Sequence, residues 1–318
     1  MRICVVGCGA IGSLFAAHLA ALGDVEVWVF DVSQTQVRAI NERGLQCPGI
    51  SADLHGADLH GADLRGAGLR GIQARADGAQ ILPCELGIVA TKSLHTDDAL
   101  AATAAAFEDA AVCSVQNGVG NEEIIARYVP RVIRGTTIVA GHVPAPGAVH
   151  LDAPGDTWIG PFEPQPARMD EVRKLAALLN RGGLPTTALE DARGAQWTKL
   201  IFNSATSPVA ALTGLTMGQL GEMTGARDLI GGLAGEGCAV ARALGITLDD
   251  DPLAMIGEAV THAHGHRPSM LQDVLARRPT EIGVLNGGIV RGAGETGVPV
   301  PLNQAVTALV NGLEHSWA

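Results

Sequence analysis

The 318-residue sequence predicts an α/β fold at the N-terminus followed by an all-helical C-terminal domain. Short apolar runs alternate with helical patterns up to about residue 189, which predicts parallel strands joined by right-handed crossovers. A glycine-rich turn separates the first apolar run from the first helical pattern. From about residue 190 the strand signals nearly vanish and helical periodicity dominates. We therefore predict domains at residues 1–189 and 190–318.

The first thirty-one residues carry the strongest pattern. A strand-like run, Arg2 to Val6, leads into Gly7-Cys8-Gly9-Ala10-Ile11-Gly12, and the Ala- and Leu-rich stretch Ser13 to Leu22 is helical in spacing. A second strand-like run, Val25 to Phe30, ends on Asp31. Strand, glycine turn, helix, strand and acid in this order predict a Rossmann-type dinucleotide-binding domain.

Each residue type in this pattern has a physical reason. Gly7 permits the sharp turn, Gly9 leaves room for a pyrophosphate, and Gly12 lets the helix pack closely on the sheet. The helix N-terminus offers unsatisfied N–H groups to phosphates. Asp31 lies where a carboxylate accepts hydrogen bonds from a ribose diol and repels a 2′-phosphate, which favours NAD over NADP. Taken alone, Asp31 is also consistent with a solvated strand end.

Further alternation continues the predicted sheet. We expect a helix at Gln34 to Arg43 and a helix at Glu122 to Tyr128, and another near Arg168 to Asn180. We expect strands at Leu86 to Thr91, Ala111 to Val115, Thr136 to Gly141 and Leu184 to Leu189, with antiparallel edge strands between Val143 and Phe162. Lys92 and Asn117 follow two of these strands, so they should face the same crevice as the glycine turn.

A five-residue repeat interrupts this domain at residues 52–71. Four copies are similar to the pentapeptide repeats of square β-helices, but they would form only about one coil and could not bury a core alone. We interpret the segment as a low-complexity expansion of a surface hairpin.

Composition restricts the partners and the compartment. The formal net charge of -11 argues against nucleic acid or an anionic membrane as a partner. Six scattered cysteines without a Cys-x-x-Cys pair fit reduced thiols. No signal peptide and no membrane-spanning run are recognisable, so we expect a cytoplasmic protein.

One segment of the helical half is the most informative. Lys199, Asn203 and Ser207 recur every four residues and form a polar stripe on a helix that is otherwise apolar. A polar stripe on a buried helix must face a polar partner, a crevice or water. A solvent-facing strip with a surface lysine is the alternative interpretation.

These motifs together resemble those of the ketopantoate reductase (2-dehydropantoate 2-reductase) family over nearly the whole chain apart from the repeat. The similar motifs are the glycine turn, Thr91-Lys92-Ser93, Gln116-Asn117-Gly118-Val119-Gly120, Lys199-x-x-x-Asn203 followed by Pro208, Pro268-Ser269-Met270-Leu271-Gln272-Asp273, Arg278, Thr280-Glu281-Ile282 and Leu285-Asn286-Gly287. The motifs are specific as a set rather than singly.

The resemblance implies hydride transfer from a reduced nicotinamide to the ketone of a small anionic 2-oxo acid, nominally the step to pantoate in pantothenate biosynthesis. It implies that Lys199 is the general acid, which fits the chemistry of an ammonium beside a developing alkoxide. It also implies that Asn117, Asn203 and Ser269 contact the substrate, that Lys92 lies near cofactor and substrate, and that Glu281 contacts the nicotinamide ribose. Homodimers through the helical domain are a further implication.

Several positions depart from the family pattern. Asp31 replaces the usual arginine that grips a 2′-phosphate, so NADP(H), the family norm, is disfavoured here without being excluded. Ser207 and Met217 stand where asparagines are usual, and His95 stands where a glutamine is usual. Losing two amides weakens the case for ketopantoate and favours a branched or aromatic 2-oxo acid.

Two other functions stay open at this point. The protein could be an NAD-dependent D-2-hydroxyacid dehydrogenase of broader specificity, or a catalytically silent nucleotide sensor, against which the intact Lys199, Asn203 and Glu281 argue. We expect no metal site. His262, His264 and His266 would share a face only in a strand, and no acidic or cysteine ligand accompanies them.

Overall fold

The computed structural model describes residues 1–50, 68–262 and 264–317. Most of the five-residue repeat, residues 52–67, therefore lies outside the described residues, and its interpretation stays a prediction. Leu45, before the repeat, and Leu69, in its fourth copy, form an antiparallel bridge with reciprocal backbone hydrogen bonds of 3.1 and 2.9 Å.

The chain divides into two units, which are described separately. The first comprises Met1–Gln116 and Asn121–Ala192, and the second comprises Asn117–Gly120 and Arg193–Ala318. The short segment Asn117–Gly120 thus groups with the helical half of the chain, although the residues on both sides of it belong to the α/β half.

Strands and helices alternate in the first unit. The strands are β1 (Arg2–Val6), β2 (Glu26–Phe30), β3 (Ile72–Arg75), β4 (Leu86–Val89), β5 (Ala111–Ser114), β6 (Arg131–Thr137), β7 (Ala140–Ala145), β8 (Ala148–Ala153), β9 (Thr157–Pro161) and β10 (Thr186–Ala188). The α-helices are α1 (Ala10–Ala20), α2 (Gln34–Arg43), α3 (Thr96–Thr103), α4 (Asn121–Ile125) and α5 (Met169–Arg181).

Eight of these strands form one sheet in the order β3-β2-β1-β4-β5-β6-β9-β10. The strands from β3 to β6 are parallel, β9 is antiparallel to β6, and β7 pairs with β8 in a separate antiparallel ribbon. This order confirms the predicted Rossmann-type parallel sheet.

Both faces of the sheet are covered, and the side chains of β1 alternate between the two core clusters. Ile3 and Val5 pack in one core cluster with Phe15 of α1, whereas Cys4 and Val6 pack in a second cluster with Leu100 of α3. All six side chains are fully buried. Apolar residues on both faces of a strand are the pattern of a parallel strand buried between helices.

One predicted strand was misplaced. The sequence suggested a strand from Thr136 to Gly141, but the backbone leaves the sheet at Ile138 and Val139, between β6 and β7. Because Arg131 and Arg134 are charged, the start of β6 lacks the apolar pattern that predicts a buried strand. Both find partners in the fold: Arg131 is paired with Glu171 at 3.0 Å, and the Arg134 guanidinium lies over Phe162.

The second unit is helical, as predicted. Its helices are α6 (Arg193–Thr213), α7 (Met217–Glu222), α8 (Thr224–Ala243), α9 (Pro252–His262), α10 (Ser269–Leu275), α11 (Asn286–Thr296) and α12 (Pro301–His315). They enclose a core of their own, with Ile201, Leu233, Ile289 and Val310 fully buried. None of the described helices is long and apolar enough to cross a membrane.

Helix α6 contains Pro208, which has no N–H to donate to the carbonyl of Ser204 one turn earlier. The Asn286 side chain at the start of α11 donates to that carbonyl at 2.8 Å instead. Asn286 also donates to Asn303 Oδ1 at 2.9 Å, and all three residues are buried. A side chain that is distant in sequence therefore replaces the missing backbone donor.

Candidate functional site

The glycine turn of the first unit has the geometry that its sequence indicates. Gly7 has φ +92°, and a Cβ there would lie 2.7 Å from Thr91 Cγ2. A Cβ on Gly12 would collide with the Gly7 carbonyl oxygen. Gly9 is exposed, and a Cβ there would meet no atom within 4 Å. The turn thus needs glycine at 7 and 12 for internal packing and leaves open space at 9, where a phosphate could approach.

Asp31 lies next to this turn at the end of β2. Its Oδ2 accepts a hydrogen bond of 2.8 Å from the Cys8 N–H, and its Oδ1 accepts one of 2.8 Å from the Ser33 N–H. The carboxylate is half-buried. These two bonds fix the negative charge beside the glycine turn, while each oxygen keeps a lone pair for another donor.

The remaining residues of the turn lie at or just before the start of α1. Gly9 is the residue before α1, Ala10 and Ile11 are half-buried in its first turn, and that turn contains no acidic residue. Cys8 is buried, and burial raises the pKa of its thiol to about 11. The thiol is therefore protonated at neutral pH, so Cys8 fills space and does not act as a nucleophile.

Two glutamines that sequence reasoning overlooked hold the loops of the first unit. Gln36 donates to the Cys8 carbonyl at 3.0 Å and accepts from the Gly147 N–H at 2.8 Å. Gln116 donates to the Thr91 carbonyl at 3.0 Å and to Thr96 Oγ1 at 2.8 Å. Gln116 lies inside a motif that carried the family resemblance, which was the available signal. Gln36 had no comparable signal.

Lys92 follows β4, the sheet neighbour of β1, and is half-buried at the start of a 3₁₀ turn. Because Thr91 packs against Gly7, the end of β4 lies beside the glycine turn, as expected for two adjacent parallel strands. His95, three residues further on, is exposed.

The second unit holds the segment Asn117–Gly120 through side chains and backbone of its own helices. The Val119 N–H donates to the Val284 carbonyl at 3.1 Å, and Gln196 donates to the Gly118 carbonyl at 3.2 Å. Arg291 donates to the Val119 carbonyl at 3.0 Å. A Cβ on Gly118 would lie 2.5 Å from the Val284 carbonyl oxygen, so this close approach requires glycine.

This segment brings Asn117 to Lys199 and Glu281. Lys199 Nζ donates to Asn117 Oδ1 at 2.8 Å, and Asn117 Nδ2 donates to Glu281 Oε2 at 3.1 Å. Lys199 and Asn117 are half-buried, and Glu281 is 6% exposed. Lys199, Asn117 and Glu281, which the sequence selected as site residues, therefore form one hydrogen-bonded row.

The environment of Lys199 changes its acidity. Burial lowers the pKa of its ammonium to about 8, and the negative charge of Glu281 opposes this shift. At neutral pH the side chain is thus still an ammonium, but it gives up its proton more readily than an ordinary lysine. Such a group is suited to general acid catalysis near neutral pH.

The candidate substrate residues are only partly grouped. Asn203 and Ser207 follow Lys199 at four-residue intervals on α6, with Asn203 half-buried and Ser207 3% exposed. Met217, at the start of α7, is 1% exposed and belongs to the helical core. Ser269 is the exposed first residue of α10.

The histidine triplet does not converge in the described part of the second unit. His262 ends α9, whereas His264 and His266 lie in the exposed loop that follows. His264 Nε2 is 3.1 Å from Glu222 Oε1. His262 is helical and residues 264–266 are not in a strand, which was the condition for a shared face.

A glycine turn that opens a helix, an acid fixed beside it, and a helical unit that carries a lysine of lowered pKa define the class of dinucleotide-fold oxidoreductases. Comparison with known proteins agrees with this class. The family model described as ketopantoate reductase PanE/ApbA matches residues 3–164, and the model of the C-terminal part of the same family matches residues 191–314.

Individual relatives match over the whole length. The 2-dehydropantoate 2-reductase of Pyrococcus horikoshii is 31% identical over 317 residues, covering 99% of this chain and 98% of the relative. The structure of a PanE/ApbA family ketopantoate reductase from Ralstonia eutropha has a TM-score of 0.85 at 29% identity, with 99% of each chain covered. D-mandelate dehydrogenase with NADH and anilino(oxo)acetate has a TM-score of 0.84 at 26% identity, again with 99% coverage of each chain.

The chain belongs to the ketopantoate reductase family. This confirms the family that the sequence motifs resembled, and members of this family are oxidoreductases that bind a nicotinamide dinucleotide.

Proposed function

We propose that this protein reduces the ketone of a 2-oxo acid to a 2-hydroxy acid, with NADH as the reductant and Lys199 as the general acid. The observation that carries the proposal is the row formed by Lys199, Asn117 and Glu281, with hydrogen bonds of 2.8 and 3.1 Å. A half-buried ammonium held by an amide is a proton donor of fixed position. The nominal substrate is 2-dehydropantoate.

Asn117 and Glu281 position the proton donor. Because Asn117 donates its amide N–H to Glu281, its amide oxygen faces Lys199. That oxygen accepts one N–H of the ammonium and so fixes the direction of the lysine side chain. The bound nicotinamide would supply a hydride to the ketone carbon. Lys199 gives its proton to the oxygen, the product is the neutral alcohol, and the amine regains a proton from solvent.

The first unit provides the residues that would hold the dinucleotide. The open space at Gly9 and the unsatisfied N–H groups at the start of α1 suit a pyrophosphate. Asp31 would accept hydrogen bonds from a ribose diol, and its charge would repel a 2′-phosphate. Lys92 and Glu281 are further proposed cofactor contacts. These features support NADH over NADPH.

A second candidate function differs in the substrate. We propose as the alternative an NADH-linked D-2-hydroxyacid dehydrogenase that acts on branched or aromatic 2-oxo acids. Ser207 and Met217 stand where the family usually has asparagines, and D-mandelate dehydrogenase has been solved with NADH and an oxoacetate that bears an aromatic ring. A pocket with Asn203, Ser207 and Ser269 but fewer amides offers fewer partners for a hydroxylated substrate.

The first experiment measures oxidation of NADH and NADPH with 2-dehydropantoate and with branched and aromatic 2-oxo acids. We expect NADH-dependent turnover that falls by a factor of about 10² or more in Lys199→Ala. Lys174→Ala, which changes an exposed lysine paired with Glu85, is the matched control and should keep full activity. Turnover of only the other acids supports the alternative. Folded protein that binds NADH without turning over any 2-oxo acid would be a nucleotide sensor and would contradict both proposals.

The cofactor proposal has a test of its own. Asp31→Asn removes the negative charge but can still accept one of the two backbone hydrogen bonds. We expect KM for NADH to rise and the preference over NADPH to shrink about tenfold, because one lost charge–charge repulsion is worth roughly 1.4 kcal/mol. Asp109→Asn, at an exposed position, is the control. An unchanged preference in a variant of unchanged melting temperature would show that Asp31 does not select the cofactor.

A further inference from the structure

The ribbon of β7 and β8 places two histidines and an aspartate side by side. His142 is paired with His150 across the ribbon, and their ring centroids lie 5.3 Å apart. Asp152 follows His150 by two positions on β8. Its Oδ1 lies 2.7 Å from His142 Nδ1 and 3.2 Å from His150 Nδ1. One carboxylate oxygen thus meets one ring nitrogen of each imidazole.

The strand geometry explains why these three side chains converge. Alternation along β8 directs Val149 and Leu151 to the core of the first unit, so His150 and Asp152 lie on the other face. The pairing shifts register between Ala140 and Gly141, where β8 has an extra residue, Asp152. Such irregularities redirect a side chain, which here turns the carboxylate toward the histidine pair.

The ribbon is anchored to the body of the first unit. Gly141 packs so closely on Leu14 of α1 that a Cβ there would lie 2.8 Å from Leu14 Cδ1. At the turn of the ribbon, the Gly147 N–H donates to Gln36, and the Gln46 N–H donates to the Gly147 carbonyl, both at 2.8 Å. The three side chains are therefore held on a supported backbone while they stay about half exposed.

We propose that His142, His150 and Asp152 form a binding site for a divalent transition cation, with Zn²⁺ as the representative ion. The nitrogen and oxygen ligand atoms all lie within 4.8 Å of one another. Ligands about 2.0–2.2 Å from a zinc ion lie roughly 3.4 Å apart, so small side-chain adjustments suffice. Two imidazoles and one carboxylate suit zinc, nickel or copper, whereas magnesium prefers an all-oxygen shell. Water would complete the coordination.

The site is independent of the proposed reductase reaction because it uses none of the residues assigned to catalysis or to the dinucleotide. A bound cation would cross-link the two strands at His142 and His150. It would thereby stabilise the ribbon that covers Leu14 on the helix following the glycine turn.

The test is a Zn²⁺ titration of the untagged full-length protein by calorimetry, repeated with Mg²⁺. We expect one equivalent of Zn²⁺ and no binding of Mg²⁺. His150→Ala and the near-isosteric Asp152→Asn should each weaken Zn²⁺ binding by a factor of about 10 to 100 or more. Removal of an outer-shell partner already causes a loss of this size, and these residues would bind the ion directly. His315→Ala removes an exposed histidine elsewhere and should bind as the wild type does.

A second readout separates a site from a hydrogen-bonded cluster without metal affinity. Zn²⁺ should raise the melting temperature of the wild type and of His315→Ala, but not that of His150→Ala or Asp152→Asn. Equal Zn²⁺ binding in all four proteins, or wild type that takes up no Zn²⁺, would overturn the proposal.

Discussion

Lys199 carries a charge where water reaches it only in part, and burial lowers the pKa of its ammonium to about 8. Glu281 limits this shift because its negative charge favours the protonated form. The lysine therefore stays charged at neutral pH while remaining close to the point at which it loses a proton. A general acid works best in this range.

The pH dependence of the proposed reduction follows from that value. A general acid must be protonated, so kcat/KM should be constant below pH 8 and fall about tenfold per pH unit above it. Glu281→Gln removes the charge that raises the lysine pKa, so the fall should begin at lower pH. The measurement is a pH profile of kcat/KM for both proteins at saturating cofactor. A decline at the same pH in both would contradict the coupling between Glu281 and Lys199.

Sequence alone indicated Lys199 and its four-residue stripe, because helical periodicity is local. It could not join Lys199 to its partners: Asn117 is 82 positions from Lys199, and Glu281 is 164 positions from Asn117. No periodicity relates residues at such separations: Asn117 was indicated by its place after a predicted strand and by the family resemblance, and Glu281 by the resemblance alone. The two hydrogen bonds, and the cause of the lowered lysine pKa, came from the structure.

Helix α6 depends on a residue outside it. Pro208 leaves the buried Ser204 carbonyl without its backbone donor, and Asn286 of α11 supplies the replacement at 2.8 Å. An unsatisfied buried acceptor costs about 1–3 kcal/mol, so the hydrogen bond from Asn286 should stabilise α6 by an amount of this order. Lys199 and Pro208 share this helix, so the same contact supports the element that carries the proposed proton donor.

A double-mutant cycle measures this contact. Asn286→Ala should lower the free energy of unfolding by about 2 kcal/mol, and Asn311→Ala, at an exposed position, should change it little. Pro208→Ala restores an N–H for the Ser204 carbonyl, so Asn286→Ala should cost about 1 kcal/mol less in that background. The measurement is chemical denaturation of the four proteins of the cycle. Strictly additive losses would mean that Asn286 acts elsewhere.

Elements with a regular apolar spacing could be predicted from the sequence. An element that contains charged residues with distant partners could not. The strand β1 and the helix α2 follow directly from local patterns. The strand β6 does not, because its charged residues rely on partners outside the strand: Arg131 pairs with Glu171, and Arg134 lies over the ring of Phe162. These partners are remote in sequence, so an apolar pattern cannot reveal that a charged residue belongs to a strand.

The negative net charge of the chain repels every anionic ligand at long range. At an ionic strength of about 0.01 M the screening length is about 30 Å, so the whole charge of -11 contributes to the potential. At about 0.15 M it is roughly 8 Å, and cations within the proposed substrate site, such as Lys199, should dominate. The long-range repulsion is therefore removed first when salt is added.

We predict that kcat/KM for a 2-oxo acid rises about two- to tenfold between these ionic strengths at saturating NADH. The measurement is a series of initial rates in an inert salt, with kcat followed separately to exclude an effect on the chemical step. A steady fall with salt would show that local cations outweigh the net charge even at low ionic strength.

The segment Asn117–Gly120 also limits how such a protein can be recombined. Four residues encoded within the α/β half complete the helical half, where they bond to Gln196, Val284, Lys199 and Arg291. A crossover at the apparent boundary near residue 192 would pair Lys199 with an amide and a loop from a different parent. The helical halves of two relatives can therefore be exchanged only if the four codons for residues 117–120 are exchanged with them.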